Sequence, residues 1–290
     1  MNQSAETSVL SVAGIQMCST TDLRANLATA ADAMARAADA GARLVVLPEN
    51  VAVYGGGYRQ VAERDGQMLT EWACQRARDL GIWLIAGTLP LISRPDGSEV
   101  PDGRVRAASL AINPRGEVVS RYDKLHLFDA TVADAQGRYC ESDSFEPGDR
   151  LALVDLDGLR VGMAVCYDLR FPELAQALAL RGADLLVYPS AFTAVTGAAH
   201  WRLLLRARAV ETGCYVLGVN QCGQHDPRRA TYGHSLLVDP WGTVVAELND
   251  RPSELLAGVE PDRIAEVRNR LPVLQHRRLT TGLPDDIKDS

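Results

Sequence analysis

The segment Ser11–Asn50, SVAGIQMCSTTDLRANLATAADAMARAADAGARLVVLPEN, decides the fold. Its first part, SVAGIQM (11–17), reads as a strand. Residues 22–40, DLRANLATAADAMARAADA, form an alanine-rich stretch of strong helix formers, and Gly41 follows as a stop. RLVVLPEN (43–50) returns to an unbroken apolar run, the pattern of a strand covered on both faces. Strand, helix and strand in succession are the unit of an α/β fold.

The same grammar continues outward. Residues 69–80 read as a helix ended by Gly81, and IWLIAGTL (82–89) as a strand. AASLAIN and GEVVSRYDK flank Pro114-Arg115-Gly116, a hairpin turn. LLVDPWGTVVAEL (236–248) repeats that hairpin around Asp239-Pro240-Trp241-Gly242, which suggests two related halves of one sheet system. Between them lie a strand at 159–165, a helix at 172–182, a strand at 184–191, a helix at 200–213 and a strand at 214–221. No low-complexity linker divides the chain. The expectation is one domain over 9–270, a flexible tail at 1–8 and a C-terminal tail at 271–290 that is a candidate for a subunit interface.

Composition narrows the function classes. Thirty Lys and Arg against 37 Asp and Glu give a formal charge of −7, with no strong basic cluster. Nucleic acid and anionic membranes are therefore poor partners. No apolar run approaches the roughly 20 residues that span a bilayer, and MNQSAETS lacks signal-peptide character. A soluble, cytoplasmic protein is expected. Six cysteines without a C-x-x-C pair do not form a disulfide framework. Five histidines show no zinc-ligand spacing, so no metal and no cofactor is expected.

Ligands of open α/β sheets bind beyond the carboxyl ends of strands. Three reactive side chains take that position: Glu49 after RLVVLP, Lys124 after GEVVSRYD and Cys166 after LRVGMAV. Taken singly, each has an ordinary reading: a loop carboxylate, a surface ammonium, a buried structural thiol. Cys166 also precedes a helix opening near Pro172, where the positive helix end would lower the thiol pKa. Together the three supply a base, a cation and a nucleophile, sufficient for covalent hydrolysis of an amide or nitrile. The chain has no G-x-S-x-G elbow, phosphate-binding loop or dinucleotide fingerprint. Gly55-Gly56-Gly57 has no helix-opening context and reads as a flexible loop beside the site.

Leu-Pro-Glu-Asn around Glu49, Asp123-Lys-Leu-His-Leu-Phe-Asp around Lys124 and Val165-Cys-Tyr-Asp-Leu-Arg-Phe-Pro-Glu around Cys166 resemble the three catalytic blocks of the carbon–nitrogen hydrolase (nitrilase) superfamily. The resemblance spans about residues 9–278. It implies a four-layer α-β-β-α sandwich and a homodimer or higher homo-oligomer. It implies Glu49 as general base, Cys166 as nucleophile and Lys124 as oxyanion stabiliser, and no metal or organic cofactor. Glu141, ahead of Phe145-Glu146-Pro147-Gly148, would position the lysine or the substrate.

Within the superfamily, Gln221-Cys-Gly, Tyr232-Gly-His-Ser and Cys140-Glu-Ser-Asp-Ser resemble the deaminated glutathione amidases. The expected substrate is the amide of a small 2-oxo acid. Omega-amidase chemistry is the nearest alternative and a non-catalytic ligand sensor the remote one. Ala130-Thr-Val-Ala-Asp-Ala-Gln-Gly departs from the relatives near the substrate loop, and Leu279-Thr-Thr-Gly departs in the tail. Position suggests Tyr54, Arg170, Phe192 and Thr196 as pocket residues, with the backbone N–H of Tyr167 as a second oxyanion donor.

Overall fold

The structure, a computed structural model, describes residues 9–279 and 287–288. The expected tail at 1–8 lies outside the described residues, as do 280–286 and 289–290 of the C-terminal tail.

The first sheet contains β1 (Leu10–Gln16), β2 (Leu44–Val46), β3 (Trp83–Ile85), β4 (Leu89–Leu91), β5 (Arg106–Ile112), β6 (Val118–Asp123) and the late strand Ser253–Val259. β1, β2 and β3 are parallel neighbours, and Ser253–Val259 and β5 close their two sides in antiparallel register. α1 (Leu23–Asp39) joins β1 to β2, and α2 (Tyr58–Leu80) joins β2 to β3. The Asp22 side chain caps α1 by accepting from the Ala25 N–H, a contact worth about 1 kcal/mol. The second sheet runs, in spatial order, Val244–Glu247, Leu236–Val238, Tyr215–Asn220, Leu185–Ser190, Leu159–Met163 and Leu153–Leu156. α3 (Pro172–Leu180) packs on Leu159–Met163, and the helix Arg202–Thr212 packs on Tyr215–Asn220.

Period-two alternation explains the layering. Val12, Leu44, Val46 and Ile85 of the first sheet share one core with Val161, Met163, Val187 and Leu217 of the second. Their sequence neighbours Ala13, Ile15, Val45 and Leu84 turn the other way and pack with Met34, Leu69 and Ala73 of α1 and α2. Each fully buried Val or Leu contributes about 1.5–3 kcal/mol. The result is the expected four-layer α-β-β-α sandwich, with an unbroken apolar strand where both faces are covered. The two sequence hairpins occur as β5–β6 in one sheet and Leu236–Val238 with Val244–Glu247 in the other.

Two local expectations need correction. The helix expected at 69–80 begins eleven residues earlier, at Tyr58, and Gly57 is its N-cap with φ 75°. The Gly55–Gly57 run therefore does open a helix. Its first turns are polar at most positions, but Val61, Ala62 and Leu69 bury one stripe. The strand expected at 82–89 breaks into β3 and β4 at Gly87, whose φ is 61°. A Cβ there would lie 2.0 Å from the Pro48 carbonyl oxygen, so the kink needs glycine and lets the Pro48-Glu49 segment pass close by.

Candidate active site

Three loops at the ends of strands build the site. β2 ends at Val46, and Glu49 follows three residues later. Its backbone is held from the second sheet: Gln221 Nε2 donates to the Glu49 carbonyl (2.9 Å) and to Ser19 Oγ (2.8 Å). Asn50 adopts φ 57° and donates its N–H to Thr88 Oγ1 (2.8 Å). Lys124 directly follows β6, and its carbonyl accepts from the Gly148 N–H (2.8 Å). A Cβ at Gly148 would lie 2.1 Å from the Asp123 carbonyl oxygen, so only glycine permits this approach. Cys166 opens the short 3₁₀ turn Cys166–Arg170 beyond Leu159–Met163. Its φ of 48° is left-handed for a residue with a Cβ, the kind of strain that concentrates at functional positions.

The three side chains converge. Lys124 Nζ donates to Glu49 Oε1 (2.6 Å) and to both Glu141 oxygens (2.8 and 2.7 Å). The lysine and Glu49 side chains are 2% and 4% exposed, too buried to be a casual surface pair. Glu141 Oε2 also accepts from the Phe128 N–H (2.6 Å). The Cys166 thiol shares the cavity wall with Glu49 and Ala191, and both act on it electrostatically. Burial opposes the charge on Lys124, but the Glu141 and Glu49 carboxylates outweigh it and hold the ammonium well above its ordinary pKa. Burial lifts the Glu141 carboxyl; Lys124 pulls it down and Glu49 pushes it up again. The two directions agree physically, since one cation shared by two carboxylates is over-compensated while the anions repel.

The cysteine overturns one expectation. Burial and the Glu49 carboxylate raise the Cys166 pKa well above the usual thiol range, against the smaller opposing pull of Lys124. The expected lowering by a helix end does not occur, because Cys166 sits inside an apolar wall and beside a carboxylate. Both influences favour the neutral thiol, and a neutral thiol needs a nearby base to act as a nucleophile.

A cavity of about 240 Å³ opens on Glu49, Lys124, Glu141 and Cys166, with Tyr54, Tyr58, Tyr139 and Arg229 in its wall. Of the pocket residues expected from sequence, Tyr54 lines it. Tyr167, Arg170, Phe192 and Thr196 instead line a side recess of about 20 Å³ that meets the cavity at Cys166. The Arg170 guanidinium lies 5.1 Å from the Phe192 ring and within 3.1 Å of His200 Nδ1. The segment 130–137 forms the tip of a hairpin between Asp129–Thr131 and Arg138–Cys140, and through Gln136 it reaches the main cavity. Among the described residues, no group of three or more His, Cys, Asp or Glu side chains could hold a metal, and no helix is long and apolar enough to cross a membrane.

Several residues at the site had no place in the sequence reading. Asp168, fully buried, accepts from the Tyr122 hydroxyl (2.7 Å), the Val165 N–H (2.8 Å) and the His126 N–H (3.1 Å), and contacts His126 Nδ1 at 2.7 Å. The signal was available: it is a carboxylate two residues past the thiol, just beyond the apolar strand run that ends at Val165. Gln221 was noted for resemblance alone. Tyr58 was invisible because the start of α2 was missed, and Arg229 because nothing in its loop's sequence points inward.

The carbon–nitrogen hydrolase family model matches residues 11–269. A deaminated glutathione amidase of Yersinia enterocolitica is 42% identical over 283 residues, covering 96% of each chain. An omega-amidase of Xenopus laevis is 37% identical over 255 residues, covering 87% of this chain and 89% of its own. A crystal structure from Saccharomyces cerevisiae, a member of branch 10 of the nitrilase superfamily, superposes with a TM-score of 0.82 at 31% identity, covering 93% of this chain and 97% of that one. A family match of this extent, on a fold shared with a solved superfamily member, fixes the affiliation: the chain belongs to the carbon–nitrogen hydrolase family and hydrolyses carbon–nitrogen bonds other than peptide bonds.

Proposed function

We propose that the chain hydrolyses the amide of a small 2-oxo acid through a thioester on Cys166, with deaminated glutathione as the favoured substrate and 2-oxoglutarate and cysteinylglycine as products. The observation that carries the chemistry is the convergence of Glu49, Lys124 and Cys166 on one cavity. Glu49 accepts the thiol proton as sulfur attacks the amide carbonyl. The Lys124 ammonium and the Tyr167 backbone N–H stabilise the oxyanion, which in a dry site is worth several kcal/mol. Glu49 returns the proton to the departing amine, and the C–N bond breaks. Water, deprotonated by Glu49, then attacks the thioester, and the thiol is regenerated. Glu141 holds the lysine through two contacts and anchors to the Phe128 N–H.

The substrate choice is supported by the 42% identical Yersinia relative. The 37% identical omega-amidase favours a second reading, in which alpha-ketoglutaramate gives 2-oxoglutarate and ammonia. Both substrates give one thioester, so only acylation distinguishes them. Purified protein assayed on each should give the higher kcat/KM for deaminated glutathione. A tenfold preference for alpha-ketoglutaramate, about 1.4 kcal/mol in the transition state, would transfer the assignment to the second reading. No turnover of either, with no adduct on Cys166, would leave the sensor reading.

The same reading takes 9–270 as one catalytic unit in a cytoplasmic protein that self-associates. Six unpaired cysteines suit a reducing compartment. Leu203, Val210 and Trp241 are exposed apolar side chains on and beside the helix Arg202–Thr212, which suits an interface between copies. Sedimentation should give a dimer or larger species, and substitution of Leu203 and Val210 by Ser should shift it toward monomer.

A further inference from the structure

We propose that Arg229 is the anchor for a carboxylate carried by the substrate, at the wall of the cavity away from the reacting carbonyl. The inference deepens the amidase reading and rests on it for the identity of the cavity. Arg229 lies on the loop between the short strands Cys222–Gln224 and Ala230–Tyr232 and lines the same cavity as Cys166. Its side chain is 21% exposed. Nη1 alone makes its side-chain hydrogen bonds, to Asp226 Oδ2 (2.7 Å) and the Gly55 carbonyl (3.1 Å). Among the described residues, Nε and Nη2 make none. One nitrogen thus fixes the guanidinium, while the others keep donors for a ligand. A planar fork held in this way suits a carboxylate.

Charge within the cavity points the same way. Near Cys166, two carboxylates share one ammonium, so an anionic group of the substrate is disfavoured at that end. Arg229 is the other cation in the cavity wall. A further observation indicates a polar ligand: Gln136 Oε1, on the 130–137 hairpin tip, is buried with no hydrogen-bond donor among the described residues, and Gln136 lines this cavity. An unsatisfied buried acceptor costs about 1–3 kcal/mol, a cost that a ligand N–H would remove. Arg170, expected from sequence position as a pocket residue, lines the side recess that meets the cavity at Cys166.

The test uses ligand-observed NMR titration of Cys166→Ala protein, which binds without turnover. The probes are glutaramate, with a carboxylate on the acyl side; N-pentanoyl-alanylglycine, with a carboxylate on the leaving side; and pentanamide, with none. Adding Arg229→Met should weaken one or both carboxylate probes at least tenfold and leave pentanamide within twofold. The probe that weakens identifies the arm that Arg229 holds. Arg229→Lys, which keeps the charge and loses the fork, should fall between. Equal weakening of all three probes would make Arg229 a strut for the Gly55 loop and overturn the proposal. Failure of the parent protein to bind either carboxylate probe would overturn it as well. If Arg229 binds carboxylates yet wild-type protein hydrolyses neither 2-oxo acid amide, the subsite stands and the substrate assignment falls.

Discussion

The Tyr122 hydroxyl donates a 2.7 Å hydrogen bond to Asp168 Oδ2, joining the strand that leads into Lys124 to the turn that begins at Cys166. Asp168 also accepts from the N–H groups of His126 and Val165, so one buried carboxylate ties down residues on both sides of the lysine and next to the thiol. Asp168→Asn keeps the volume and loses half the acceptors. It should lower kcat about a hundredfold with little change in KM, since small misplacements cost on that order. Tyr122→Phe should lose less. Steady-state kinetics beside thermal melts checks this, and a loss confined to melting temperature would make the network purely structural.

Lys124 neutralises two buried carboxylates, so Lys124→Met should cost stability as well as turnover. Removing one partner of a buried pair costs about 3–5 kcal/mol. Adding Glu141→Gln should restore part of the stability and none of the activity. Denaturant titrations of the two single variants and the double variant measure the coupling; strict additivity would mean that the contact carries no energy.

Glu49 contacts Lys124 and shares the cavity wall with the thiol, whose pKa it raises, whereas Glu141 contacts the lysine. Glu49→Gln should therefore lower kcat by about three orders of magnitude or more, in line with loss of a general base, and Glu141→Gln by less. The opposite order would exchange their roles.

Burial and Glu49 both favour the neutral thiol of Cys166. The folded pKa lies above the unfolded value of about 8.5, so this group favours folding below that pH and the contribution is lost as pH rises through the folded pKa. Glu49→Gln removes one raising influence, and thiolate absorbance should then appear at lower pH than in the wild type. An unchanged titration would mean that burial alone sets the thiol.

Two cysteines, Cys140 and Cys166, line the cavity. Mass spectrometry after substrate trapping should find the acyl group on Cys166, and Cys166→Ala should abolish turnover while leaving the melting temperature near wild type. An adduct on Cys140 would refute the assignment.

By itself, the sequence determined an α/β alternation of strands and helices and the candidate reacting groups, while the four-layer sandwich followed from the resemblance of its motif blocks to the carbon–nitrogen hydrolase superfamily. Strand and helix periods are local properties, and Ser11–Asn50 carries both. Glu49, Lys124 and Cys166 were legible because each stands where an apolar strand run stops, with motif neighbours on both sides. Tertiary structure alone decided the electrostatics and the walls. The thiol pKa depends on Glu49, 117 positions away in the chain, and on burial that no local window contains. The early start of α2 was obscured because its first turns bury only a narrow stripe. Arg170 and Arg229 are equally basic in sequence, yet one lines a 20 Å³ recess and the other the 240 Å³ cavity. Which of them faces the cavity is set by how the two sheets bring distant loops together, and pairwise sequence patterns do not encode that direction.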